Sequence, residues 1–374
     1  MPGVYIHIPF CIKKCSYCDF VSVVADTQTQ MDYFHALACE IRAFGAKYPK
    51  TQVETVFFGG GTPSCAPPGC LEEILLVLRR NFEVQHDAEI TLEANPGTVS
   101  EEQLSNYCKA GFNRISFGLQ SNDDRILKRI GRIHSRRDFC TSFKIARRAG
   151  FQNINVDLMY ALPGQQLSDV LSSVDEVCAL RPEHISAYAL HLEQGTPLYA
   201  EWENDARDFP DEDLDREMYH ALCARLVRNG YQQYEISNFA LPGYACRHNL
   251  KYWNLKEYIG FGAAAHSCYR KTRYANTSDV RAYILKKGKA RAEDVQVITP
   301  QEYEQEFLML KLRLTEGFSL REYAETFQED FQKRYAVQLE TLLKNDLLAV
   351  RDDRVFLTRK GLDLQNTVLV MLGI

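Results

Sequence analysis

Six short apolar or β-branched runs, at 4–10, 55–60, 89–94, 114–119, 153–160 and 184–190, each end in Gly, Pro, Asn or polar residues and each precede a longer segment of helical period. Helices are expected near 29–48, 69–82, 100–110, 135–149, 168–180 and 212–229. Several carry start and stop signals: Ser100-Glu101-Glu102-Gln103 reads as a capping box, Gly111 and Gly150 as helix-ending glycines, and Pro182 follows a helix end. Strict strand–helix alternation implies a parallel sheet with helices outside it, either doubly wound or an incomplete barrel.

The alternation breaks after about residue 231. YEISNFA, GYACRHNLKYW and the Gly/Ala-rich GFGAAAHS read as strand and loops, and from Thr299 helices near 301–314, 319–327 and 333–345 precede a strand pair, LLAVRDD and RVFLT, and a final helix. That is the order of a winged-helix α+β unit. Three segments result: 1–231, 232–298 and 299–374. From Pro300 to the end there are ten Lys/Arg and thirteen Asp/Glu, a net charge of −3, which suits a structural or substrate-covering domain rather than a DNA reader.

The 374 residues, 45% hydrophobic and 25% charged, can bury a sizeable core, which excludes disorder and a miniature stapled scaffold. The formal charge of −5 gives no reason to expect nucleic acid or an anionic membrane as partner. No apolar stretch reaches the roughly 20 residues of a spanning helix, so membrane contact is at most peripheral. The chain has twelve cysteines, and Met1-Pro2-Gly3 leads straight into a strand-like run without a secretory n- or h-region. A chain of this size with that start is expected in the cytoplasm, its thiols reduced.

Cys11, Cys15 and Cys18 follow the first strand at C-x3-C-x2-C spacing. Three thiolates in so short a loop can hold an Fe–S cluster, one ligand short of four, leaving an iron open to a small molecule. Zinc is the alternative, but it wants a second close ligand pair, and the other nine cysteines form no C-x-x-C. Glu93, Gln120 and Asp157 place polar groups at or near the carboxyl ends of strands, the face where barrel enzymes build sites. Gly59-Gly60-Gly61-Thr62-Pro63 ends the second strand, where glycine admits a ligand close to the backbone. Other features read more plainly. Cys39, Cys108, Cys140, Cys178 and Cys223 are expected on helices as core thiols; Cys65 and Cys70 flank the glycine turn without a role; His7 suits a satisfied barrel residue as well as a ligand neighbour; and Asp123-Asp124 reads as a helix N-terminal device.

On Tyr5-Ile6-His7-Ile8-Pro9-Phe10-Cys11, the three-cysteine loop and the glycine motif, the sequence resembles the radical S-adenosylmethionine (SAM) superfamily over essentially its whole length. It is closest to the branch of oxygen-independent coproporphyrinogen III oxidases (HemN) and haem chaperones (HemW). The resemblance implies a partial (β/α)6 TIM-type barrel, a [4Fe-4S] cluster on Cys11, Cys15 and Cys18, and SAM on the open iron. It carries SAM contacts onto Tyr5, Tyr17, Gly61, Thr62, Glu93, Gln120, Arg132 and Asp157, with Ala189 a looser match. Oxidases of the branch have a further cysteine two residues past the third ligand, where Phe20 stands, and His248-Asn249-Leu250-Lys251-Tyr252-Trp253 fits the H-N-x-x-Y-W motif that the chaperones associate with haem. His248 is thereby expected to bind haem, with Cys246 an alternative ligand. The resemblance therefore implies a haem chaperone, serving acceptor haemoproteins and supplied by an electron donor, with self-association left open. The runner-up is SAM-dependent oxidative decarboxylation of coproporphyrinogen III to protoporphyrinogen IX. Nucleic-acid modification guided by the C-terminal unit ranks last on the acidic count.

Overall fold

Alternation along the first strand, β1 (Gly3–Ile8), sends Val4, Ile6 and Ile8 to one face and Tyr5 and His7 to the other, and the same division recurs through the sheet. The computed structural model describes residues 1–289 and 293–374, so 290–292, within the expected 232–298 segment, lie outside the described residues. Parallel strands β2 (Gln52–Gly60), β3 (Glu83–Ala94), β4 (Arg114–Gln120), β5 (Ile154–Tyr160) and β6 (His184–Ala189) follow β1 in sequence order. The connections carry helices α1 (Thr27–Lys47), α2 (Cys70–Asn81), α3 (Glu101–Ala110), α4 (Asp124–Arg129), α5 (Arg136–Ala149) and α6 (Leu167–Leu180). Tyr258–Phe261 pairs parallel on the far side of β1, and antiparallel strands extend both edges to twelve strands among the described residues. Among the described residues the edges do not pair with each other, which gives the open form of a parallel barrel, not a closed one.

The two faces of this sheet differ chemically. Val4, Ile6, Val56, Phe58, Ile90, Leu92, Ile115, Phe117, Ile154 and Val156 pack under the helices as the main core. The inner face is polar, carrying Thr55, Glu89, Thr91, Glu93, Arg114, Ser116, Asn155, Asp157, His184 and Ser186. An apolar filling would close such a barrel as a packed core; a polar one needs partners inside.

Helix signals hold where expected. Ser100 and Gln103 form a reciprocal capping box, and Gly111 and Gly150 end their helices at φ +108° and +113°. Asp123 accepts from Arg125 N and Asp124 from Arg136 N, so that pair does act at helix starts. After α7 (Pro197–Asn204) and α8 (Glu212–Arg228), the stretch read as loop contains a helix, α9 (Arg247–Trp253). Its N-terminal amides, Arg247 N at 3.1 Å and His248 N at 3.0 Å, donate to the Glu89 carboxylate on β3. The cap comes from another element, and no local sequence signal announces it.

A second apolar core gathers Phe307, Phe318, Tyr323, Phe331, Leu342, Val355 and Leu372 under a three-stranded antiparallel sheet. Ion pairs join this unit to the sheet, Arg313 to Glu235 and Arg273 to Glu306. No helix among the described residues is long and apolar enough to cross a membrane.

One buried acid outside the inner face gives a pH test. Glu40 accepts from Gly262 N, Asn276 Nδ2 and Tyr283 OH, and burial lifts its carboxyl to about 7. The folded state thus holds a proton that the unfolded chain releases near 4.3, and this group's contribution to stability falls as pH rises from about 4.5 to about 7. Glu40→Gln is expected to flatten that part of the Tm–pH curve; an unchanged slope would contradict it.

Candidate functional site

The cysteine loop is tied down by backbone and side chain. Cys11 N donates to Val23 O at 3.1 Å, Ser16 N to Ile130 O at 3.1 Å, and Leu198 N to Ser16 O at 3.0 Å. Gly131, at φ +79°, lies so close that a Cβ would stand 2.7 Å from Ser16 Oγ. Cys11 Sγ is 3.5 Å from Thr62 Oγ1, and the Arg132 guanidinium donates to Cys15 Sγ at 3.5 Å. All three thiols are free and partly exposed, and they face one cleft of about 370 Å³ at the carboxyl ends of the strands.

The glycine turn forms one wall. Gly60 adopts φ +114°, and a Cβ there would meet the His7 ring at 2.6 Å; at Gly61 it would meet Phe10 O at 2.7 Å. Only glycine lets this turn lie against both strand and cysteine loop. Glu93 accepts from Gly60 N at 3.2 Å, and burial, with Asp157 nearby, lifts its carboxyl to about 8. Burial likewise raises Asp157, against hydrogen bonds from Asn155, Ser186 and Ser116. A register shift between Gly118 and Gln120 leaves Gln120 at φ +71°, and its Oε1 accepts from Tyr188 OH at 3.3 Å. Such a bulge re-aims a strand-end side chain.

Ten of the expected site residues line this cleft: Cys11, Cys15, Cys18, Tyr17, Gly61, Thr62, Glu93, Gln120, Arg132 and Asp157. Ala189 lines it as well. Sequence reasoning missed Asn95, which donates to Thr62 Oγ1 at 2.9 Å and accepts from Arg132 at 2.6 Å, so that it joins two walls. It also missed Lys13, Lys14, Ser116, Met159, Tyr188, His191 and Glu193. Asn95 directly follows the Glu93 strand end, the signal that could have marked it.

Two expected residues are elsewhere. Tyr5 points inward below the cleft, its hydroxyl 3.1 Å from His7 Nδ1, while His7 Nε2 is 2.9 Å from Val21 O, which makes His7 a satisfied barrel residue. His248 lies at the amino-terminal end of the strands, its Cε1 3.2 Å from where a Gly3 Cβ would be. Five residues of strand, about 17 Å, separate that end from the cleft end of β1. It is 1% exposed, with Nδ1 2.9 Å from Thr55 Oγ1 and Nε2 3.0 Å from Tyr252 OH, and burial lowers its pKa to about 3. Ligation through either nitrogen requires one of those contacts to break and α9 to move. Cys246 is 0% exposed, its Sγ 3.5 Å from Glu89 Oε1, and burial pushes its thiol up to about 12.

The donor set fits the implied group. Among the described residues no three His, Cys, Asp or Glu side chains converge on a single metal ion. Three thiols on one cleft suit a cluster, in which each sulfur holds its own iron.

Residues 5–177 match the radical SAM superfamily, and residues 298–364 match the HemN C-terminal domain. Over 372 residues the chain is 37% identical to the heme chaperone HemW of Bacillus subtilis, spanning 98% of both proteins. The chain belongs to the HemW branch of the radical SAM superfamily. A second HemW-family relative, the heme chaperone HemW of Lactococcus lactis, is 34% identical over 366 residues, 98% of this chain and 96% of the relative. The solved structure of coproporphyrinogen III oxidase (HemN) from Escherichia coli, at 22% identity, superposes with a TM-score of 0.87 over 99% of this chain and 90% of that one. That likeness establishes the shared fold of the HemW and HemN proteins.

Proposed function

We propose that this chain is a cytoplasmic haem chaperone that binds a [4Fe-4S] cluster, SAM and haem, and delivers haem to acceptor haemoproteins. What carries the reading is identity over nearly the full length to proteins named heme chaperones. Phe20 supports it from the sequence: the position where oxidases of the branch carry a cysteine holds a phenyl ring, 62% exposed at the cleft.

Cys11, Cys15 and Cys18 would hold the cluster, which with SAM supplies one-electron reductive chemistry at a sulfonium centre. The chain's own residues receive the amino acid end of SAM. The turn at Gly60 and Gly61 would bring backbone against it, and an ammonium group beside Glu93 and Asp157 would favour the ionised form of carboxyls that burial otherwise raises. Arg132 offers a guanidinium to a carboxylate and stands beside the Cys15 sulfur. Gln120 and Tyr188, bonded to each other, close the far wall. A protein electron donor belongs to the same proposal.

One anaerobically reconstituted preparation tests the reading when assayed in parallel for haem binding and for coproporphyrinogen III turnover with SAM and a reductant. Haem binding without protoporphyrinogen IX formation is expected. Turnover to protoporphyrinogen IX would replace the chaperone with the oxidase.

A further inference from the structure

His191 is the histidine that lines the cleft; the other eight lie elsewhere in the fold. It sits just past the end of β6, its side chain 85% exposed, with Nε2 3.2 Å from Glu193 Oε1. A carboxylate on one imidazole nitrogen is the arrangement that orients a metal-ligating histidine, and it leaves Nδ1 to the metal. Four buried histidines offer no such access: His7 is 6% exposed, His134 6%, His184 0% and His248 1%.

The cleft's other exposed lining residues add what an iron porphyrin needs beyond an axial ligand. Phe20 presents an apolar ring to solvent from the cysteine loop. Lys14 Nζ donates to Phe20 O at 3.1 Å, which fixes an ammonium beside that ring, and the exposed Lys13 adds a second cation. Asp19 and Glu193 share the rim, so carboxylate groups of a ligand are favoured only on the lysine side. The side chains of His191, Phe20 and Lys13 take no part in the proposed cluster and SAM site, while the Phe20 backbone and Lys14 lie beside the Cys18 thiol.

We propose that this rim is the haem seat: His191 ligates the iron, Phe20 packs on the macrocycle, and Lys13 and Lys14 pair with the propionates. The proposal rests on the haem-chaperone reading and places the cargo over the opening of the cofactor cleft. His248 then serves as a buried group at the opposite end of the strands, and the sequence signal near it marks a helix seat rather than an iron ligand.

Visible-spectrum haem titration of the reconstituted full chain tests this, comparing wild type with His191→Ala, His191→Met, Phe20→Ser and His248→Ala. His191→Ala is expected to weaken haem binding tenfold or more and to shift the Soret band, and His191→Met to give a third, distinct band. Phe20→Ser is expected to weaken binding several-fold. The cluster spectrum should be unchanged in all three, since these exposed residues hold neither the fold nor the cluster. Binding by His191→Ala with wild-type affinity and spectrum would overturn the seat, as would loss confined to His248→Ala. No haem binding by wild type would instead sink the chaperone reading itself, which separates the two failures.

Discussion

Reconstitution of the Cys15→Ala protein is expected to yield no [4Fe-4S] spectrum, with bound iron falling from about four atoms per chain to near none. In the proposed assignment three sulfurs are the whole protein ligand set, and Cys15 is the one paired with the Arg132 guanidinium at 3.5 Å. Alanine removes a ligand and leaves that guanidinium facing an empty position. The loop's backbone ties run through Cys11 N, Ser16 N and Ser16 O rather than through the Cys15 sulfur, so the fold should survive with a far-ultraviolet spectrum like wild type. Cys178→Ala is the control. Cys178 is a buried helical thiol in the main core, and its loss should lower stability without touching the cluster. A full cluster spectrum in Cys15→Ala would contradict the assignment.

Glu89→Leu is expected to cost about 3 kcal/mol, because it strands one buried and one partly buried amide donor at the start of α9 together with the Cys246 thiol. Arg114, itself 2% exposed with no partner for Nε, also has Glu89 among its neighbouring acids. A chain of 374 residues should show a Tm drop of roughly 4 °C. The conservative Glu89→Gln keeps one acceptor oxygen and should lose less. Calorimetry of both variants checks the order; a Tm for Glu89→Leu within a degree of wild type would mean that α9 is seated by something else.

The contrast between these two sites explains what the sequence could reveal. Cys11, Cys15 and Cys18 are neighbours in the chain, so their chemistry is written in local spacing. The six strands were legible because one face of each is apolar, and the capping box at Ser100 and the glycines at 111 and 150 are local devices. β3 begins earlier than its apolar run suggests, because Glu83–Asp87 is polar edge, not core. α4 and α7 are too short to show a period. α9 looked like a loop because its N-terminal acceptor, Glu89, is 158 residues away from Arg247. In the cleft, Asn95, Tyr188 and His191 stand out only once the strand ends converge, since each is a common residue type in an unremarkable context. Tyr5 shares the inner face of β1 with His7, and its ring and the Glu93 carboxylate both stand about 3 Å from where a Gly59 Cβ would be, a neighbourhood that its place in a motif does not spell out.

The central claim is that this HemW-family fold carries haem rather than oxidising its precursor, and the most direct measurement is haem transfer. Haem-loaded, cluster-containing protein mixed with an acceptor apo-haemoprotein is expected to lose its Soret signature as the acceptor gains its own, while the same preparation leaves coproporphyrinogen III unchanged in the presence of SAM and reductant. Failure to bind haem, combined with conversion of coproporphyrinogen III to protoporphyrinogen IX, would contradict the account.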